Sequence, residues 1–127
     1  MKVLLVNGSP RKEGNTYVAL NEFAQQLAKN GIQSELVWIG TKPVRGCVAC
    51  NSCHDNRCVF NDDITNSIIA KMEECDGLVI GSPVYYGQPA GPVCCLQQRM
   101  MYAGSSVMAN KPAAGICVCR RGGATAA

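Results

Sequence analysis

Strand-like apolar runs alternate with helical spacing along the whole of this chain, and that alternation restricts the folds open to it. Lys2–Val6 is an apolar run of the kind found in central parallel strands covered on both faces. From about Thr16 to Lys29, Leu20, Phe23, Ala24 and Leu27 recur at helical spacing, and Asn30-Gly31 supplies a stop. Ser34–Ile39 reads as a second strand, with Glu35 placing it near a sheet edge. A helix is expected from Asp62-Asp63 to about Cys75, with Ile64, Ile68, Ile69 and Met72 as its core face. Gly77–Gly81 is a third strand, Pro92–Tyr102 a third helix, and Ala113–Cys119 a fourth strand reached through residues 104–111. The pattern predicts an α/β fold, a parallel sheet with helices on both faces. In such sheets ligands sit outside the carboxyl ends of the strands, where strand order reverses. The stretches 7–16, 82–91 and 120–123 all fall on that side.

The first of these reads Asn7-Gly8-Ser9-Pro10-Arg11-Lys12-Glu13-Gly14-Asn15-Thr16. A loop running from a strand into a helix N-terminus is suited to anions, because the first helical N–H groups lack partners and the dipole is positive there. Ser9, Asn15 and Thr16 add donors, and Arg11 and Lys12 add charge. A Walker A loop is disfavoured: Gly8 and Gly14 enclose five residues, and Asn15 stands where lysine is required. The dinucleotide fingerprint is absent as well. A phosphate monoester is the best ligand for this loop, and a plain βα turn with an N-cap is the alternative. The second loop carries Pro83-Val84-Tyr85-Tyr86-Gly87. Its adjacent tyrosines read either as flat surfaces for a planar ring or as ordinary half-buried aromatics.

At 127 residues the chain is expected to be one domain, with a cysteine-rich loop at 40–61. A formal net charge of +3, without a basic run interleaved with aromatics, gives no case for nucleic acid. The amino-terminal apolar run is too short for a signal peptide and no stretch could span a bilayer, so a cytoplasmic location is expected. Nine cysteines are many for such a chain. Cys47, Cys50, Cys53 and Cys58 form a C-x2-C-x2-C-x4-C run. Zinc sites usually use two knuckles with a longer span between them, and the compact even spacing is nearer that of cubane iron–sulfur sites. Idle thiols, a disulfide or zinc stay open as the other readings. Arg45, Arg57 and Lys42 are placed to favour thiolates, or simply belong to a solvated basic loop. His54 is read as a surface residue. Cys75, Cys94, Cys95, Cys117 and Cys119 are read as small buried apolar residues.

Asn-Gly-Ser-Pro-Arg-Lys-x-Gly-Asn-Thr after the first strand, with Gly-Ser-Pro-Val-Tyr-Tyr-Gly after the third, resembles the FMN-dependent NAD(P)H oxidoreductases of the flavodoxin-like superfamily and their relatives, the iron-sulfur flavoproteins. The resemblance implies a flavodoxin-like three-layer sandwich. Ser9, Arg11, Gly14, Asn15 and Thr16 would hold the FMN phosphate. Pro83, Val84, Tyr85, Tyr86 and Gly87 would lie along the isoalloxazine ring, with Arg121, Gly122 and Gly123 at its other edge. It also implies a four-iron four-sulfur cluster on Cys47, Cys50, Cys53 and Cys58, passing single electrons to the flavin, and a homo-oligomer.

Two functions follow from that resemblance. One is an FMN-dependent oxidoreductase taking hydride from NAD(P)H and passing electrons to a quinone, a second flavin or another small acceptor. The other is an electron-transfer protein fed by a ferredoxin. A receiver domain is set aside, because Asn7 and Ser82 stand where acidic residues would be needed. A phosphatase is set aside because the first loop has no cysteine. The family fold has five parallel strands and the pattern supplies four, so the fifth strand is expected to be missing and the chain truncated at its C-terminus. Strand four should then be an exposed apolar edge, with lower stability or rescue by a partner subunit.

Overall fold

The computed structural model describes residues 1–127. The chain runs β1 (Lys2–Asn7), α1 (Asn15–Lys29), β2 (Gln33–Trp38), α2 (Thr65–Glu73), β3 (Gly77–Tyr85), β4 (Gln88–Pro89), α3 (Gly91–Ala103), α4 (Ser105–Met108) and β5 (Ala113–Val118). The parallel part of the sheet has the order β2-β1-β3-β5. Chain order reverses between β1 and β3, so the crevice expected for a ligand lies where those two strands end.

Alternation along the central strands sorts the two cores. Leu4, Val6, Leu78 and Ile80 point to one face and pack with Ile68, Ile69 and Met72 of α2 and Val93, Leu96 and Met100 of α3. Val3, Leu5 and Val79 point to the other and pack on Leu20, with Phe23, Ala24 and Leu27 of α1 alongside. Helices therefore cover both faces, giving the three-layer sandwich. Glu35, on edge strand β2, pairs with Lys2 and Lys71 rather than with the core, in keeping with its place near the sheet edge.

The pattern places most elements within a few residues of where they lie. The largest difference is at β3. It continues through Ser82 and Pro83 to Tyr85, where a loop is expected from Ser82. A short antiparallel strand that the pattern does not supply, β4, then folds back on its end, pairing Val84 with Pro89 and Tyr85 with Gln88. Tyr86 and Gly87, both at positive φ, form the two-residue turn between them.

β5 pairs with β3 alone. Ala113, Ala114, Gly115 and Cys117 are exposed, as expected of a sheet edge, and Cys117 is corrected from a buried residue to a surface one. Cys94, Cys95 and Cys119 are half-buried, and only Cys75 of this group is fully buried. No helix is long and apolar enough to cross a membrane.

Candidate functional site

The loop after β1 is built by its own side chains. Asn7 is fully buried, and its amide oxygen accepts a hydrogen bond from the Ser9 N–H at 3.1 Å. Its Nδ2 donates to the Lys12 carbonyl at 2.9 Å, closing the loop from the inside. The Ser9 hydroxyl oxygen accepts from the Arg11 N–H at 3.1 Å. Gly8 N–H donates to the Gly81 carbonyl at 2.8 Å and ties the loop to β3. From β2, the Trp38 indole N–H donates to the Ser9 carbonyl at 2.7 Å, and the Lys12 ammonium lies 5.9 Å from the centre of that ring.

Gly14 precedes α1, no side chain caps the helix, and its first turn holds no acidic residue. The N–H groups at the start of α1 thus keep their full anion affinity. Ser9 and Thr16 are buried beneath this surface, while Arg11 and Asn15 are exposed beside it. An uncapped helix start, a bracing serine and an exposed arginine form a donor set suited to a phosphate monoester.

The second loop stands next to the first. Gly8, Pro10, Tyr85, Ala90 and Pro92 line one cleft of about 180 Å³ with the start of the stretch after β2. Tyr85 is half exposed and Tyr86 wholly exposed at the tip of the hairpin. Tyr86 has φ +51°, a left-handed conformation that costs a residue with a side chain about 1–2 kcal/mol. The ordinary half-buried reading fails for Tyr86, whose ring has no cover of its own. The third loop closes on the second: a Cβ built on Gly123 would lie 3.2 Å from both Gly87 Cα and Val84 Cγ1. Arg121 and Gly122 are exposed alongside. All three sequence-predicted loops thus gather at the carboxyl end of the sheet.

The cysteine run is wound into a compact loop. Ala49, Asn51, Asp55 and Asn56, lying between the cysteines, all take positive φ, and each such residue turns the chain sharply. As a result Cys47, Cys50, Cys53 and Cys58 line one pocket, together with Phe60, Arg99 and Tyr102. Burial pushes the Cys53 thiol above its ordinary pKa, and the sulfurs of Cys58, Cys50 and Cys47 push it further. What brings the four cysteines together is their common lining of this pocket. No set of three or more His, Cys, Asp or Glu side chains is gathered as tightly as a single ion requires. Four thiols are the donor chemistry an iron–sulfur cluster requires, and Cys47, Cys50, Cys53 and Cys58 are the residues that would hold one.

The expectation that Arg45 and Arg57 serve these thiols is corrected. Arg45 pairs with Asp62 at 3.0 Å and lies over the Phe60 ring, and Arg57 pairs with Glu73 at 2.8 Å. The cation that meets a cysteine sulfur is Arg99 of α3. His54 is exposed beside Asp55 and outside the pocket, as read. Asn66 of α2 brackets Cys58, accepting from its N–H and donating to its carbonyl, both at 2.8 Å.

Asp63 sits under this loop with its side chain 4% exposed, paired with Arg99 and accepting from the Arg45 and Thr65 N–H groups at 3.0 Å. Burial pushes the Asp63 carboxyl up, but the hydrogen bonds from Thr65, Arg45 and Arg99 outweigh it and hold its pKa below the ordinary value. A depressed carboxylate contributes stability that is fully present above its unfolded pKa, about 3.9, and is lost as pH falls through the folded value. Acid unfolding monitored by circular dichroism is therefore expected below about pH 4. In Asp63→Asn the remaining stability should fall less steeply across that range, and an unchanged profile would remove Asp63 from the account.

Asn7, Asp63, Asn66 and Arg99 carry site geometry that the sequence reading missed. Arg99 left a trace: it interrupts the apolar stripe Val93, Leu96, Met100 and Ala103 at a position that helical spacing turns inward.

The profile of the family described as NADPH-dependent FMN reductase matches residues 1–127. An iron-sulfur flavoprotein of Methanocaldococcus jannaschii is 38% identical over 100 residues, covering 78% of this chain and 51% of that protein. One of Archaeoglobus fulgidus is 34% identical over 113 residues, covering 87% of this chain and 55% of that protein. The chain thus spans about half the length of the curated relatives it matches. Among solved structures, RosB with bound 8-demethyl-8-formylriboflavin-5'-phosphate superposes with a TM-score of 0.67 at 16% identity, over 98% of this chain and 54% of that one. That likeness establishes a flavodoxin-like fold. With the family profile matched along its whole length, this chain belongs to the NADPH-dependent FMN reductase family.

Proposed function

We propose that this chain works as an iron-sulfur flavoprotein, exchanging electrons between an FMN at the β1 and β3 loops and a four-iron four-sulfur cluster at the cysteine loop. The observation that carries this reading is the shared pocket of Cys47, Cys50, Cys53 and Cys58. The curated relatives named iron-sulfur flavoproteins support it. Bound FMN exchanges one or two electrons, and a cluster exchanges one at a time.

The chain's own residues bind and orient. The N-terminus of α1, with Ser9, Arg11, Gly14, Asn15 and Thr16, would hold the FMN phosphate. Pro83, Val84, Tyr85, Tyr86 and Gly87 would lie along the ring, with Arg121, Gly122 and Gly123 at its other edge. α3 joins the two sites. Its start, Gly91-Pro92, lines the cleft beside Gly8, and its later turns dock the cysteine loop through Gln98, Arg99 and Tyr102. From Gly91 to Arg99 the helix rises about 12 Å. Cys47 and Cys50 are exposed, so a ferredoxin or another small electron carrier would meet the cluster there.

The second reading is an NAD(P)H oxidoreductase delivering electrons through FMN to a quinone, a flavin or a similar acceptor, and the family supports it. Anaerobic reduction of the flavin separates the two. Reduction that needs ferredoxin supports the first reading. Full reduction by NAD(P)H alone, at the same rate after the cysteine run is replaced by serines, favours the second.

Flavin binding has its own reporter. Trp38 is the only tryptophan, and its indole N–H holds the Ser9 carbonyl in the phosphate loop. Titrating FMN into the flavin-free chain should quench Trp38 emission saturably, and Asn7→Ala should weaken that binding at least tenfold. Equal affinity in the variant would show that Asn7 does not shape the site.

A further inference from the structure

Arg99 is 1% exposed, and each nitrogen of its guanidinium has a partner. Nη1 donates to the Asp63 carboxylate and, at 3.3 Å, to the Arg45 carbonyl. Nη2 donates to the Phe60 carbonyl at 2.7 Å. Those contacts bind the two ends of the cysteine loop and the segment leading into α2 to one buried group. Nε differs from the rest: it donates to the Cys58 Sγ at 3.4 Å. Cys58 is the one buried cysteine of the run, and its backbone is already held from α2 by Asn66.

A loop clamp needs only the backbone carbonyls and Asp63. A charged donor aimed at a sulfur does something else. Hydrogen bonds to ligand sulfurs, local charge and solvent exposure set the potentials of iron–sulfur centres. Reduction adds negative charge, and a cationic N–H at a buried sulfur stabilises the reduced state more than the oxidised one. We propose that Arg99 is the residue that positions Cys58 and raises the cluster's reduction potential, which sets how readily the cluster takes electrons relative to FMN. The inference rests on the iron-sulfur flavoprotein reading above.

The test compares the full chain with Arg99→Lys and with Arg99→Gln/Asp63→Asn. The double variant removes both buried charges together and so avoids stranding either. Iron, sulfide and FMN are assayed, and cluster and flavin midpoints are measured separately by anaerobic titration followed by electron paramagnetic resonance and visible absorption. In the double variant the reduction equilibrium of the cluster should weaken tenfold or more, a negative shift of about 59 mV for a one-electron couple. The FMN midpoint should stay in place. Arg99→Lys keeps the charge without the fork and should recover part of the shift. Should the double variant lose iron and sulfide, the broken clamp accounts for that, and the midpoint of Arg99→Lys decides: a negative shift supports the inference and a wild-type midpoint overturns it. A wild-type midpoint in both variants, with iron and sulfide intact, would overturn the inference and leave the function standing. A wild-type chain that binds FMN but takes up no iron would overturn the function itself.

Discussion

Replacing Gly8 by alanine should abolish FMN binding and lower the thermal midpoint by about 10 °C. A Cβ at this position would stand 2.1 Å from Val93 Cγ2 and 2.9 Å from the Gly81 carbonyl oxygen. Val93 is buried in the main core, and Gly81 is backbone of β3, so neither contact is the free end of a flexible side chain. Relief requires β1 to move away from β3 or α3 to lift from the sheet. Overpacking of this kind costs about 1–3 kcal/mol and occasionally more, and the backbone contact places Gly8 at the upper end. The damage falls on the site as well as on the fold. The Gly8 N–H holds the Gly81 carbonyl, so the strain acts where the phosphate loop meets β3. Calorimetry and an FMN titration of the variant check both halves, and a midpoint within 2 °C of wild type with normal flavin affinity would refute the packing argument.

Asp63→Ala should cost about 3–5 kcal/mol, the range for stranding one member of a buried ion pair. Arg99 would remain buried with its carboxylate gone, and the Arg45 and Thr65 N–H groups would lose their acceptor as well. The cysteine loop is held largely by these bonds, so it should open to proteolysis well before the sheet unfolds. Removing both charges in Arg99→Met/Asp63→Leu should cost much less than the sum of the single changes, because an apolar pair of suitable size replaces a buried ion pair at little net cost. Denaturant unfolding of the wild type, Arg99→Met, Asp63→Leu and the double variant gives the coupling directly. Additive effects would mean that the two side chains do not act as a unit.

The fold was legible because its signals are periodic. Leu20, Phe23, Ala24 and Leu27 could form only a helix stripe, and Val3–Val6 only a buried strand, so the alternation and the position of the loops followed. The short antiparallel strand β4 escaped for a local reason. Pro83 reads as a breaker, yet it lies on the β3 edge that pairs with β5, opposite Val118, where β3 continues to Tyr85. The turn at Tyr86-Gly87 carries only one glycine for two positive-φ positions, which hides the hairpin. The cysteine run was legible as a group of thiols from its compact spacing, but the positive-φ turns at Ala49, Asn51, Asp55 and Asn56 that wind it around one pocket were not. Its charge environment was also hidden, because the cation that meets a sulfur lies on α3, far along the sequence, while Arg45 and Arg57 inside the loop are taken by Asp62 and Glu73. Contacts between distant segments leave little trace in a single sequence, and an arginine inside an apolar stripe is the trace this one left.

The iron-sulfur flavoprotein reading stands or falls on what the cysteine pocket holds. The chain purified without oxygen should be recorded by visible absorption and assayed for FMN, iron, zinc and acid-labile sulfide. Flavin bands over a broad cluster absorbance, with about four iron and four sulfide per FMN, are the expected result. Flavin bands with zinc or with no metal, unchanged after anaerobic treatment with iron and sulfide, would contradict it and leave an NAD(P)H:FMN oxidoreductase whose cysteines play no part in electron transfer.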